Sequence, residues 1–281
     1  MRRLLKGNAD SDNDAELDRM TLLKALLLGI IEGATEFLPV SSTGLLIVAS
    51  TIVDYPEASR ATFEIFIQLG AILAVVWHFR VPLWETIRGS LFRAEDRGLL
   101  AKVLLAFLPA AVVGLLFHRA IERYLFSPFV VGITLMVGGI VIVVIERRPW
   151  SFSVDQIDGV TWRQSLWVGL AQVLSMIPGV SRAGATIIGG MFAGLNRPAA
   201  TQFSFYLSIP TMAAASLYSL FKARADLVSD DALLLAVGFA TAFFSALLVV
   251  RAFLAFVQRH DFTPFGYYRI VFGALLLWFF W

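Results

Sequence analysis

The sequence predicts an all-α, polytopic membrane protein, and three observations carry that expectation. Hydrophobic residues make up 58% of the 281 residues and charged residues 16%, far more apolar than an average soluble domain. Uncharged runs such as Tyr124 to Ile145, Pro198 to Phe221 and Ala232 to Val250 each match the roughly 20 residues a helix needs to cross a bilayer. Short segments of alternating polarity, the mark of a membrane β-barrel, are missing, whereas a helix satisfies its own backbone hydrogen bonds in hydrocarbon.

The elements follow in order from apolar runs bounded by charge or proline. Thr21 to Leu38 reads as a helix entering the membrane, Ser42 to Val53 as a short helix, and Thr62 to Phe79 as a span. Residues 80–98 read as a loop; its Arg80, Arg88, Arg93 and Arg97, against Arg119 and Arg123 in the next loop, make it the better candidate for the cytoplasmic side. Further spans are expected at about 99–117, 128–146, 199–221, 233–252 and 266–281, with 162–180 and 183–195 forming another helix pair. Residues 1–20 begin basic, turn acidic and lack the apolar core of a signal peptide. They read as a flexible polar tail before a single membrane domain over 21–281. Its Asp10, Asp12, Asp14, Glu16 and Asp18 lack the glycine and final glutamate of a calcium loop and read as solvated.

Charge and cysteine content exclude several classes. A net charge of +2 gives no basic face for nucleic acid, and no nucleic-acid partner is expected. Without cysteine there is no disulfide, thiolate nucleophile or thiolate metal site, so any metal must bind through oxygen or imidazole.

An internal repeat organises the chain. A shift of 140 residues aligns Gly29 with Gly169, Val40 with Val180, Ser41 with Ser181, Gly44 with Gly184, Ile47 with Ile187 and Phe63 with Phe203. The halves are about 21–145 and 162–281, and each contains a helix, a break and a short helix. The segment Ala183 to Asn196 is uncharged but too short to cross, so it should dip in and return, as should the segment after Pro39. Inverted repeats with two re-entrant helices meeting tip to tip are the expected architecture, with a site at their interface.

Chemistry-bearing residues gather at the two breaks. Glu32 and Glu36 lie four apart on one helical face. Carboxylates at membrane depth mark function by default, and two like charges so close require a proton, a cation or an arginine. Oxygen ligands of this kind favour Mg²⁺ or Ca²⁺; a protonated structural glutamate is the plain alternative. Ser41, Ser42 and Thr43 follow Pro39 and open a new helix, with Gly44 permitting close backbone approach. Hydroxyls and free N–H groups there suit an anion, and Ser42 is a candidate nucleophile. The second break repeats Ser181 and Gly184 and adds Arg182, whose fork matches phosphate oxygens and could equally pair with Glu32 or Glu36. Gln68 and Gln172 sit on apolar faces, where helix–helix hydrogen bonding and substrate contact are equal readings. His78, His118 and His260 lie at span ends and read as interfacial. Tyr268 and Arg269 open the last span, within reach of either the headgroups or the site.

At these residues the chain resembles the undecaprenyl-diphosphate phosphatase family of the bacitracin-resistance integral membrane type. EGATEFLPVSSTG and PGVSRAGAT correspond to its two signatures, and QLGAILAVV, FSFYLSIP and FGYYRIVFG resemble family segments in the expected order; the likeness covers about residues 21–281. It implies hydrolysis of undecaprenyl diphosphate to the monophosphate at the outer face of the bacterial inner membrane, recycling the lipid carrier for peptidoglycan, with dependence on a divalent cation. Carried over by motif position, Glu32 and Glu36 serve metal binding or acid–base work, Ser42 is nucleophile or phosphate ligand, and Ser181 with Arg182 holds the diphosphate. The implied partners are the polyprenyl lipid and the bilayer, with a homodimer left open. Two positions depart from the family pattern: Leu45 stands where the first motif usually has histidine, and Ala183 where the second usually has serine. Leu45 cannot relay a proton, so a lipid-phosphate transporter or flippase, or a non-catalytic lipid-binding paralogue, is the rival expectation.

Overall fold

A computed structural model describes residues 20–55, 57–92, 97–223 and 232–280. The predicted polar tail, all but Met20, and Arg93 lie outside the described residues. Among the described residues eleven α-helices follow one another: α1 (20–35), α2 (Ser42–Ile52), α3 (Glu57–His78), α4 (Arg80–Phe92), α5 (Arg97–Leu125), α6 (Pro128–Glu146), α7 (Trp162–Val173), α8 (Arg182–Phe192), α9 (Arg197–Ala223), α10 (Ala232–Phe256) and α11 (Thr263–Phe280). Among the described residues five stretches are long and apolar enough to cross a membrane, in α3, α5, α6, α10 and α11. The protein is a multi-pass, all-α membrane protein.

One expectation needs correction. Residues 80–92 form α4 rather than a loop. The charge in this stretch was the reason to read it as a loop, yet Arg and Glu are good helix formers and Pro82 falls in the first turn, where its missing N–H costs nothing. Phe79 joins the two helices, its N–H donating to Val75 at 2.9 Å and its carbonyl accepting from Leu83 N–H at 2.8 Å. The predicted span at 199–221 is the 27-residue α9, but it is not among the five apolar stretches. It carries Thr201, Gln202, Ser204, Ser208 and Thr211, and Thr201, Ser204 and Ser208 are buried inside the protein.

Close helix contacts are made by small residues, as expected where lipid removes the hydrophobic drive between helices. A side chain at Gly139 would meet the Gly266 carbonyl at 2.6 Å, and one at Gly273 would meet that of Gly132 at 2.7 Å. Position 132 therefore faces 273 and 139 faces 266, so α6 and α11 run antiparallel. The contacts of α1 and α7 reproduce the 140-residue repeat. On α1, a Cβ at Gly29 would lie 2.6 Å from the carbonyl oxygen of Gly238, and one at Gly33 2.3 Å from that of Ala242, a parallel pairing with α10. On α7, a Cβ at Gly169 would lie 2.4 Å from the Ala106 carbonyl oxygen, and one turn earlier Ser165 Oγ donates to the Lys102 carbonyl, a parallel pairing with α5. Each entry helix thus packs along the penultimate helix of the opposite half. By these pairings α1, α2 and α3 correspond to α7, α8 and α9, and α5 and α6 to α10 and α11.

Candidate functional site

Both breaks end in a serine with a left-handed backbone. Ser41, preceding α2, has φ 69° and Ser181, preceding α8, has φ 71°. For a residue with a Cβ such a conformation costs on the order of 1–3 kcal/mol, and it persists where surrounding structure enforces it. The two are equivalent positions of the repeat, so the same strained turn is built twice.

What encloses them is a polar cavity of about 150 Å³, lined by Glu36, Ser41, Ser42, Thr43, Gln68, Ser175, Pro178, Gly179, Ser181, Arg182 and Met212. Both breaks contribute to it. Glu36 links residues of both breaks. Ser42 Oγ donates to Glu36 Oε2, and Arg182 Nη2 donates to Oε1 at 3.2 Å, an ion pair whose side chains are only 10% and 9% exposed. The same guanidinium donates to the Ser204 carbonyl at 3.4 Å and the Met212 sulfur at 3.0 Å, and lies 5.3 Å from the Phe37 ring centroid. Its Nε has no partner among the described residues. The first break thus supplies carboxylate and hydroxyl, the second the cation.

The helix starts differ in a way that bears on anion binding. Ser181 Oγ accepts the Gly184 N–H at 3.1 Å and so caps α8, while donating to the Leu38 carbonyl at 3.5 Å. Ser41 makes no such bond to α2. Because Ser42 turns instead to Glu36, the first N–H groups of α2 stay uncapped by this pair beside the cavity.

Other expected residues are placed away from the cavity wall. Glu32 is 2% exposed, and its Oε2 has no partner among the described residues. Gln172, its equivalent in the repeat, is fully buried; it accepts from Thr211 Oγ1 at 3.3 Å, and its Nε2 is likewise unpartnered. Gly44 is buried against α6 and α11, where a Cβ would meet Val131 at 3.2 Å and Phe272 at 3.7 Å. Gln68 does line the cavity, and it makes the helix–helix hydrogen bond weighed for it, accepting from Ser216 Oγ at 2.9 Å.

Three contributors were not singled out from the sequence. Ser175 and Met212 line the cavity, and Ser175 is the repeat equivalent of Thr35; each donates its hydroxyl to a carbonyl of its own helix end at 2.6 Å. Thr134 of α6 ties down the second break, its hydroxyl donating to the Pro178 carbonyl at 2.6 Å. Arg269, held open between headgroup and site, belongs to the site region: it is 1% exposed and donates to the carbonyls of Pro39, Thr134 and Gly179 at 3.2, 3.3 and 2.9 Å. An arginine inside an apolar run with no acidic neighbour in sequence was the available signal.

Fold and site together define a class: multi-pass helical membrane proteins with a buried, arginine-containing polar site between two broken helices. Residues 25–275 match the family described as bacitracin resistance protein BacA, and the chain belongs to that family. It is 50% identical over 261 residues to an undecaprenyl-diphosphatase of Nitrosospira multiformis, covering 93% of this chain and 96% of that one. Similar likeness holds to undecaprenyl-diphosphatase 2 of Rhodospirillum rubrum, 50% identical over 262 residues with 93% and 96% covered, and to undecaprenyl-diphosphatase 1 of Chromobacterium violaceum, 48% identical over 261 residues with 92% and 97% covered.

Proposed function

We propose that this protein is a membrane phosphatase that hydrolyses undecaprenyl diphosphate to undecaprenyl phosphate and inorganic phosphate. The observation that carries the reading is the linked arrangement of Ser42, Glu36 and Arg182 in one cavity. A protein that only binds or moves a lipid phosphate needs the arginine and the helix N-terminus. It has no need of a hydroxyl that donates to a carboxylate.

In the proposed reaction the diphosphate displaces Glu36 from part of its pairing with Arg182. Its oxygens take the guanidinium fork and the N–H groups at the start of α2. Ser42 Oγ attacks the terminal phosphorus as its proton passes to Glu36. The bond from that phosphorus to the bridging oxygen breaks, and undecaprenyl phosphate leaves. The leaving undecaprenyl phosphate carries off the proton that Glu36 took. Water then cleaves the phosphoserine: Glu36 takes a proton from the water and returns it to the departing Ser42 oxygen, releasing phosphate and restoring Ser42. Arg182 and the α2 amides stabilise the charge that develops on the transferred group.

A divalent cation fits this donor set in one manner. Among the described residues no three carboxylate or imidazole side chains cluster, too few for the roughly six to eight oxygens of a Ca²⁺ cage. Mg²⁺ takes one or two carboxylates and fills its shell with water and substrate phosphate; of the two expected carboxylates Glu36 lines the cavity and can supply one, whereas Glu32 does not line it. Bound there, Mg²⁺ would contribute Lewis-acid neutralisation of the diphosphate charge.

In this reading α2 and α8, 11 residues each and so about 16 Å long, are the re-entrant helices. They reach about halfway into a roughly 30 Å hydrocarbon core and open the site to the outer face of the bacterial inner membrane. The test is phosphate release from undecaprenyl diphosphate by the purified protein in detergent, where no vesicle interior exists to transport into. Release that EDTA abolishes and Mg²⁺ restores supports the reading; no release from wild type sinks it.

A further inference from the structure

Arg269 donates to two carbonyls that the repeat makes equivalent. Pro39 and Gly179 are 140 residues apart, and each lies two residues before its strained serine. One guanidinium therefore clasps both breaks from behind, and a third bond to Thr134 anchors it to α6. Thr134 in turn holds the Pro178 carbonyl. Among the described residues Arg269 has no carboxylate partner, so it carries an uncompensated charge in the protein interior, an expensive placement. The fold makes room for it: a Cβ at Gly138 would fall 2.3 Å from its Nη2, and one at Gly184 3.4 Å from its Nη1.

We propose that Arg269 is a positioning residue for the phosphatase reaction, a brace that holds the two broken segments in mutual register so that Ser42–Glu36 and Arg182 address one phosphate. The proposal rests on the phosphatase reading for its kinetic consequence but not for its geometry. Lysine keeps the charge but lacks the planar fork that spans two carbonyls. A displacement of about 1 Å in a catalytic constellation costs about 10²-fold in rate.

Two measurements test it on the full-length protein. In the first, Arg269→Lys and Gly138→Ala are compared with wild type in phosphate release. Both variants are expected to lose about 10²-fold in kcat with KM within about threefold, while the thermal midpoint and gel-filtration profile stay close to wild type. A kcat for Arg269→Lys within threefold of wild type overturns the proposal, as does a loss that merely follows the fraction of unfolded protein. The second measurement needs no activity. Because the chain has no cysteine, Ile52→Cys on α2 and Leu174→Cys after α7 give unique spin-label sites, 74% and 57% exposed. A narrow distance distribution is expected in the parent and a broadened one after Arg269→Lys; an unchanged distribution contradicts the bracing role. Inactive wild type with a distribution that broadens would defeat the phosphatase reading and leave the brace standing.

Discussion

Glu36→Gln separates catalysis from architecture at the centre of the site. Glutamine keeps the shape of glutamate, and its amide oxygen can still accept one of the two bonds, from Ser42 or from Arg182. It can neither receive the Ser42 proton nor neutralise the guanidinium. Loss of a general base is worth about 10²–10⁴ in rate, about 2.7–5.4 kcal/mol of barrier at 1.36 kcal/mol per decade. Losing one charge-assisted hydrogen bond costs about 1.5–3 kcal/mol of stability, because both partners are nearly enclosed, at 9% and 10% exposure. The same substitution frees Arg182 from its resting partner, so substrate no longer competes with a carboxylate for it. The expected signature is therefore a kcat lower by 10²–10⁴ with KM unchanged or lower, together with a modest fall in thermal midpoint. Steady-state phosphate release over a range of undecaprenyl diphosphate concentrations, with thermal unfolding on the same preparation, reads all three. A kcat within threefold of wild type, or a KM that rises while kcat holds, would refute the assignment of Glu36 as base.

Three further outcomes are expected. Leu45→His should raise turnover, by up to about 10²-fold if a proton relay is what the site lacks; no gain in phosphate release would mean that position 45 does not limit the rate. Ser181→Ala should lower the thermal midpoint by the equivalent of about 1 kcal/mol through loss of the α8 cap, whereas Ser41→Ala, which removes no cap bond, should leave it nearly unchanged; equal shifts would show that the caps are not what distinguishes the breaks. Gly169→Val and Gly29→Val should each destabilise by about 1–3 kcal/mol or more, since both place a side chain within 2.6 Å of a backbone oxygen, and a stability profile unaffected by either would contradict the paired packing of α1 with α10 and α7 with α5.

Much of this arrangement was readable in the sequence because the bilayer leaves few solutions. Apolar length dictated helices, and the short runs after Pro39 and Pro178 showed where helices had to break. The offset of 140 residues placed Ser41 opposite Ser181 before any coordinates, and the matched backbone strain of these two residues is its physical counterpart. Carboxylates and an arginine beside such breaks were conspicuous because membrane interiors penalise them. What could not be read is whatever depends on three-dimensional neighbours. Arg182 had two glutamates to choose from, and helix geometry alone does not say that Glu36 pairs with it and lines the cavity while Glu32 does neither. Gly44 and Gly29 look alike in sequence, yet one seats α2 against α6 and α11 and the other admits α10. Arg269 lies 230 residues from Pro39, a separation over which local pattern carries no information. Charge obscures the helix at 80–92, where helix propensity competes with it, and the burial of Thr201, Ser204 and Ser208 along α9 depends on neighbours that local pattern does not reveal.

The claim that matters most is that two broken segments, one from each half of the chain, form one working site. A double-mutant cycle on kcat/KM between Ser42→Ala in the first break and Arg182→Lys in the second tests it directly. Groups acting as one unit are grossly non-additive, so the double variant should be within about threefold of the worse single variant. Rate losses that multiply, as they do for independent sites, would contradict it.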